Sequence, residues 1–133
     1  MPTDTARDRR KNLRVKASIP VVYGFMSNDG ASRRPDIESG TTVDVSSTGI
    51  AFIAHFADQA TVNKALRSEL IMSLKVSVTE SDQVELIGRV AWAAKVSSDN
   101  DYEYFFGVEY VKTTEESIQK VFDAAVAAGG GEA

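Results

Sequence analysis

Two stretches of this 133-residue chain have residue types and spacings suited to holding a small anion. Arg9-Arg10-Lys11-Asn12-Leu13-Arg14 offers cations and planar donor forks just ahead of a strand-like segment. Asp44-Val45-Ser46-Ser47-Thr48-Gly49 offers a carboxylate, hydroxyls and a glycine in the composition of a tight turn. An arginine fork makes paired bonds to phosphate oxygens or to guanine O6 and N7, and its plane stacks on bases. Ionised Asp44 only accepts hydrogen bonds, which complements guanine N1–H and the exocyclic amine. Ser46 adds a hydroxyl, and Gly49 suits a positive φ or a close backbone approach. Arg10 and Arg14 share a face if the arm is helical. In an extended arm they stand about 13 Å apart, at roughly 3.3 Å per residue, and could grip opposite sides of a ligand.

Each stretch also has an ordinary reading, a solvated basic tail and a plain turn. Charge sharpens the first. Residues 7–16 hold six cations against the single Asp8, a local +5, which leaves −9 for the rest of a chain whose total is −4. A basic arm on an acidic body suits a compact anion better than a nucleic-acid polymer, whose flanking phosphates would meet the acidic surface. A single-strand-binding barrel would also interleave aromatics in that arm, and this one has none.

Enzyme templates find little support. His55 is the only histidine and lies beside Phe52, Ile53 and Phe56, where a structural or surface role is expected. No Gly-x-x-x-x-Gly-Lys run exists. Asp99, Asp101 and Glu103 fall in a polar turn and read as solvated charge rather than a metal cluster. The expectation is a protein without catalytic residues, metal or cofactor. The chain lacks cysteine, and no apolar run approaches the roughly 20 residues of a membrane span, so a cytoplasmic monomer is expected.

The elements that must position the two stretches follow from periodicity. Val15, Ala17, Ile19, Val21, Tyr23 and Phe25 alternate as a half-buried strand with an irregularity at Pro20. The Ser27–Pro35 segment reads as a loop with Asp29-Gly30 at its tip. Strands follow at Glu38–Val45 and Ile50–Ile53, on either side of the Ser46–Gly49 turn. A short helix capped by Asp58 should turn Val62, Ala65 and Leu66 inward. Leu70, Met72, Leu74, Val76 and Val78 mark the next strand. Val84, Leu86, Gly88, Val90, Trp92, Ala94 and Val96 mark a long one, with Gly88 a bend or bulge. Tyr104, Phe106, Val108 and Tyr110 mark the last strand. Thr113 to Glu116 then reads as a capping box for an amphipathic helix stopped near Gly129. The fold class is mainly β: a six-stranded antiparallel barrel or curled sheet with a C-terminal α-helix. Residues 1–8 are expected as a flexible tail, 9–127 as one domain and 128–133 as a disordered tail.

Arg10-x-x-x-Arg14 entering a strand, then Asp44-x-Ser46-x-x-Gly49 about thirty residues later, resembles the PilZ domain family. Gly88-Arg89-Val90-Ala91-Trp92 is similar to that family's Gly-x-Val-x-Trp strand, and Phe106-Gly107-Val108-Glu109-Tyr110 to its closing strand. The resemblance spans about residues 9–127. It implies a split-barrel fold and a bacterial receptor for the second messenger cyclic di-GMP, stand-alone here. Arg10 and Arg14 would hold guanine edges and phosphates from a flexible arm. Asp44 and Ser46 would bond the other guanine, Gly49 would shape the turn, and Trp92 would lie near the site or in the core. Arg9 implies an intercalated pair of ligand molecules. A downstream protein partner in motility or biofilm control is implied but not identified. The alternative is a degenerate PilZ-like interaction module that binds no nucleotide.

Overall fold

The computed structural model describes residues 14–27 and 38–129. Arg9, Arg10, the 1–8 tail, the Asp29-Gly30 loop tip and residues 130–133 lie outside the described residues.

Among the described residues, seven strands and two helices follow in order: β1 Val15–Lys16, β2 Pro20–Ser27, β3 Glu38–Val45, β4 Gly49–Ala54, α1 Gln59–Leu66, β5 Leu70–Ser77, β6 Gln83–Lys95, β7 Tyr104–Tyr110 and α2 Glu115–Gly129. The order β3-β2-β5-β6-β7-β4, with β4 returning to β3, closes a six-stranded antiparallel barrel. β1 is a short addition beside β3. Closure pairs strands that would otherwise present open edges.

The irregularity expected at Pro20 divides the first apolar run into β1 and β2. Inward alternation nevertheless continues through Val15, Ala17, Ile19 and Val21, all buried. Thr42 stitches the gap: its buried hydroxyl accepts from the Ile19 amide at 2.8 Å and donates to the Ala17 carbonyl. Without it, two backbone groups would lose these partners, at a cost of about 1–3 kcal/mol.

The barrel is filled by Tyr23, Phe52, Met72, Leu74, Leu86 and Phe106, none more than 2% exposed. Burial of each such side chain contributes about 1.5–3 kcal/mol. Phe52 links Tyr23 and Phe106 through ring centroids at 5.3 and 5.6 Å. α2 packs across β1, β3 and β6, and buries Val121 and Ala125. α1 lies on β5 and β6, capped by Asp58, whose carboxylate accepts from the Thr61 amide at 2.7 Å.

Four details differ from the sequence reading. Leu66 is 43% exposed, and Thr61 takes the inward position beside Val62 and Ala65. The cap of α2 is Thr114, whose hydroxyl accepts from the Ser117 amide at 3.2 Å. Thr113 instead bonds both the amide and carbonyl of Ile87, extending the β6 ladder. α2 also runs through Ala128 to Gly129, into the segment expected as tail. Finally, the bulge in β6 falls at Ala91 and not at Gly88. Gly88 is needed for packing, because a Cβ there would strike the Val108 side chain.

Candidate functional site

The turn between β3 and β4 is built by Ser46. Its buried hydroxyl accepts from the Thr48 and Gly49 amides at 3.2 and 3.1 Å, and its own amide donates to the Gly49 carbonyl at 2.9 Å. The sequence reading offered this oxygen to a ligand; the structure engages it inside the turn. Gly49 has the second of its two anticipated roles, since a Cβ there would run into the Val108 carbonyl of β7.

Two bulges decide which side chains reach the outer surface. In β3 the inward phase runs through Gly40 and Thr42, then slips at Val43 so that Val45 points in. Asp44 is thereby turned outward. In β6 the inward phase runs through Gly88 and Val90, then slips at Ala91, and Trp92 is turned outward with 44% of its surface exposed. Unbroken alternation would have placed both inside. A bulge adds one residue and so exchanges the faces of everything beyond it.

The ladders then carry Asp44 and Trp92 onto one lateral row. Asp44 pairs with Ala51 of β4, Ala51 with Gly107 of β7, and Gly107 with Trp92. Partners in a row share a face, and three strand spacings separate the ends by about 14 Å. Between the carboxylate and the indole lie only a methyl group and a glycine. Gly107 has to be small, because a Cβ there would collide with the Trp92 indole. Phe105 holds that indole edge-on at 4.9 Å.

An open cleft of about 240 Å³ covers this floor, lined by Arg14, Thr48, Gly49, Trp92, Gly107 and Glu109 among others. Arg14 Nη1 meets Asp44 Oδ1 at 2.9 Å, with the two side chains 52% and 20% exposed. The guanidinium is half-exposed and the carboxylate largely covered, so water screens the pair from the arginine side. Glu109 pairs with Arg89 at 3.0 Å on the other side of the cleft. The Tyr110 hydroxyl is buried and has no hydrogen-bond partner among the described residues. Burial pushes the Tyr110 phenol pKa up, and the nearby Arg14 charge pulls it the other way.

The structure thus brings Arg14, Gly49 and Trp92 around one cleft, with Asp44 beside it through its pair with Arg14 and its row with Ala51. Ser46 stands behind them, and Arg9 and Arg10 lie outside the described residues. Thr48, Ala51, Gly107 and Glu109 were not anticipated as site residues. The outward phase of β7, shared by Phe105, Gly107 and Glu109, was the available signal for the last two. His55 lies elsewhere on the surface, between Thr41 and Glu103 at 3.2 and 3.0 Å. Among the described residues, no three acidic, histidine or cysteine side chains are grouped to hold a metal ion. No helix among them is long and apolar enough to cross a membrane.

This fold is a small barrel with an open cleft on its outer wall. Residues 8–126 match the PilZ domain, and the chain belongs to that family. Among solved structures it is similar to the PilZ domain with c-di-GMP of YcgR from Escherichia coli, at 13% identity and a TM-score of 0.58 over 90% of this chain and 92% of that one. It is also similar to the Bacillus subtilis inhibitor of motility MotI/DgrA, at 13% identity and a TM-score of 0.55 over 90% of this chain and 50% of that one. The Borreliella burgdorferi PlzA protein in complex with c-di-GMP matches at 16% identity and a TM-score of 0.53, over 98% of this chain and 55% of that one. The chain therefore spans about half the length of the last two. No curated protein matches it by sequence.

Proposed function

We propose that this protein is a receptor for cyclic di-GMP, bound on the outer wall between Asp44 and Trp92, and that it does no catalysis. The observation that carries the reading is the Arg14–Asp44 pair at 2.9 Å beside a floor of Ala51 and Gly107 walled by Trp92. Arg14 supplies a fork for a phosphate or a guanine edge, and Asp44 accepts from guanine N1–H and the amine. The indole offers a face on which a base stacks. Ser46 acts by fixing the turn that presents Asp44, Thr48 and Gly49. Family membership and the ligand-bound YcgR and PlzA structures support the choice of ligand.

In this reading Arg10 closes from the arm as a second grip, and Arg9 sets a stoichiometry of two ligand molecules per chain. Ligand binding orders the arm against the barrel, at a cost offset by charge-assisted bonds of about 1.5–3 kcal/mol each. The ordered arm changes the surface that a cytoplasmic protein partner reads. Calorimetry on the wild type and Arg14→Ala is the test. Micromolar or tighter binding of cyclic di-GMP that the variant loses supports the reading, and a wild type that does not bind refutes it.

One observation favours the alternative of an interaction module without nucleotide. Arg14 and Asp44 already form an ion pair with each other, which offsets their charges without a ligand. The same titration separates the two readings.

A further inference from the structure

The cleft has a second guanidinium–carboxylate pair, and nothing in the motifs assigns it a task. Glu109 lines the cleft, and its carboxylate meets Arg89 Nη2 at 3.0 Å, both side chains being 52% exposed. In the ladder Glu109 lies between Gly49 of β4 and Arg89 of β6. Its neighbour on one side thus has no side chain, and that side of the carboxylate opens onto the same floor that Asp44 borders. Glu109 is two strands and two residues from Asp44, about 12 Å between backbones. Glu109 therefore lines the cleft itself, Asp44 stands beside it through Arg14, and each carboxylate is held by one arginine, at 2.9 and 3.0 Å.

From this arrangement, and resting on the receptor reading above, we propose that Glu109 is a specificity-determining residue. It accepts from the N1–H and amine edge of a guanine in the bound ligand, with Arg89 holding the carboxylate in position and masking its charge from phosphate. A carboxylate has only acceptors to offer. It matches the donor edge of guanine and opposes the acceptor N1 of adenine. An unmasked carboxylate facing a dianionic ligand would repel it. Arg89 removes that penalty while leaving the second carboxylate oxygen available. The pair stands on rigid strands of the barrel, so it reads the ligand independently of the arm.

The test is calorimetry with cyclic di-GMP and cyclic di-AMP on the full chain, comparing wild type, Arg14→Ala, Glu109→Gln and Arg89→Gln, with a melting curve for each. Glu109→Gln is nearly isosteric and keeps the fold. It is expected to weaken cyclic di-GMP binding by about tenfold or more, the scale of one charge-assisted hydrogen bond, and to narrow the preference over cyclic di-AMP. Arg89→Gln weakens cyclic di-GMP binding, and the Arg89→Gln/Glu109→Gln double variant binds better than Arg89→Gln alone, because the unmasked charge is gone. If Arg14→Ala loses binding while Glu109→Gln stays within about threefold of wild type, the pair is a cross-strand surface contact and this inference falls while the receptor reading stands. An unchanged preference for cyclic di-GMP over cyclic di-AMP in Glu109→Gln overturns the specificity role in the same way. A wild type that binds neither dinucleotide overturns both.

Discussion

The β2–β5 ladder runs from Val21↔Val76 to Ser27↔Leu70 without a shift, whereas the β3–β4 and β6–β7 ladders each slip once. The two walls are made of the same antiparallel pairing and share one core. On the regular wall Val21, Tyr23, Phe25, Met72, Leu74 and Val76 point inward in unbroken alternation, and the outward positions include Val22, Gly24 and Lys75. On the slipped wall two residues that alternation would bury, Asp44 and Trp92, stand outside and face each other across a floor with almost no side chains. Bulges cost a ladder bond and some regularity. Here they convert a barrel wall into a recessed surface with a carboxylate at one side and an indole at the other. In the proposed reading, stability and recognition belong to different walls, which substitutions can separate.

The largest effect is expected on the regular wall. Leu74 of β5 is fully buried, so Leu74→Ala should lower the unfolding free energy by about 2–5 kcal/mol in a denaturant titration. The folded fraction should still bind cyclic di-GMP within a few-fold of wild type. A large affinity loss in the folded fraction would mean that the walls are not independent. Thr42 lies at the seam, one residue before the β3 slip, with its buried hydroxyl bonded to the Ile19 amide and the Ala17 carbonyl. Thr42→Val keeps the shape and removes both bonds. It should cost about 1–3 kcal/mol of stability. It should also weaken binding, because β1, which carries the chain from Arg14 into the barrel, is held to β3 at that point. Lost stability with unchanged affinity would show that Thr42 serves the core alone.

How the sequence announced each wall differs in the same way. Strands β2, β5 and the first half of β6 were legible because apolar and polar residues alternate with strong contrast, as in Val84-Glu85-Leu86. The slips were not legible because contrast vanishes where they occur. Ala91-Trp92-Ala93-Ala94 is apolar throughout, and Thr41-Thr42-Val43 is small or β-branched throughout, so period-two reasoning passes through both without registering an extra residue. That is why Trp92, Ala94 and Val96 were read as a continuation of the inward face, and why the bulge was assigned to Gly88. The cap of α2 was displaced by one for a related reason: Thr113 and Thr114 are adjacent, and only tertiary structure reveals that Thr113 is occupied by Ile87. Site residues in the two motifs were legible as types. Their grouping depends on β4 pairing with β7, a contact between strands about fifty residues apart that no local pattern encodes.

Trp92 gives the smallest change in stability and a direct reading of the slipped wall. Its indole rests on Gly107 and against Phe105 with nearly half its surface exposed, so Trp92→Ala removes little core. The expected outcome is a modest shift in melting temperature together with a loss of about 1–3 kcal/mol in cyclic di-GMP affinity, the value of one base stacked on an aromatic ring. Trp92→Phe, which keeps a smaller stacking face, should recover part of it. Because Trp92 is the only tryptophan in the chain, the wild type reports on its own cleft. Intrinsic fluorescence should be quenched as a base covers the indole, with the midpoint given by calorimetry. Saturable binding with no change in that fluorescence would put the ligand somewhere other than the floor between Asp44 and Trp92. The outward turn of Trp92 would then serve only to shield Gly107 and Phe105 from solvent.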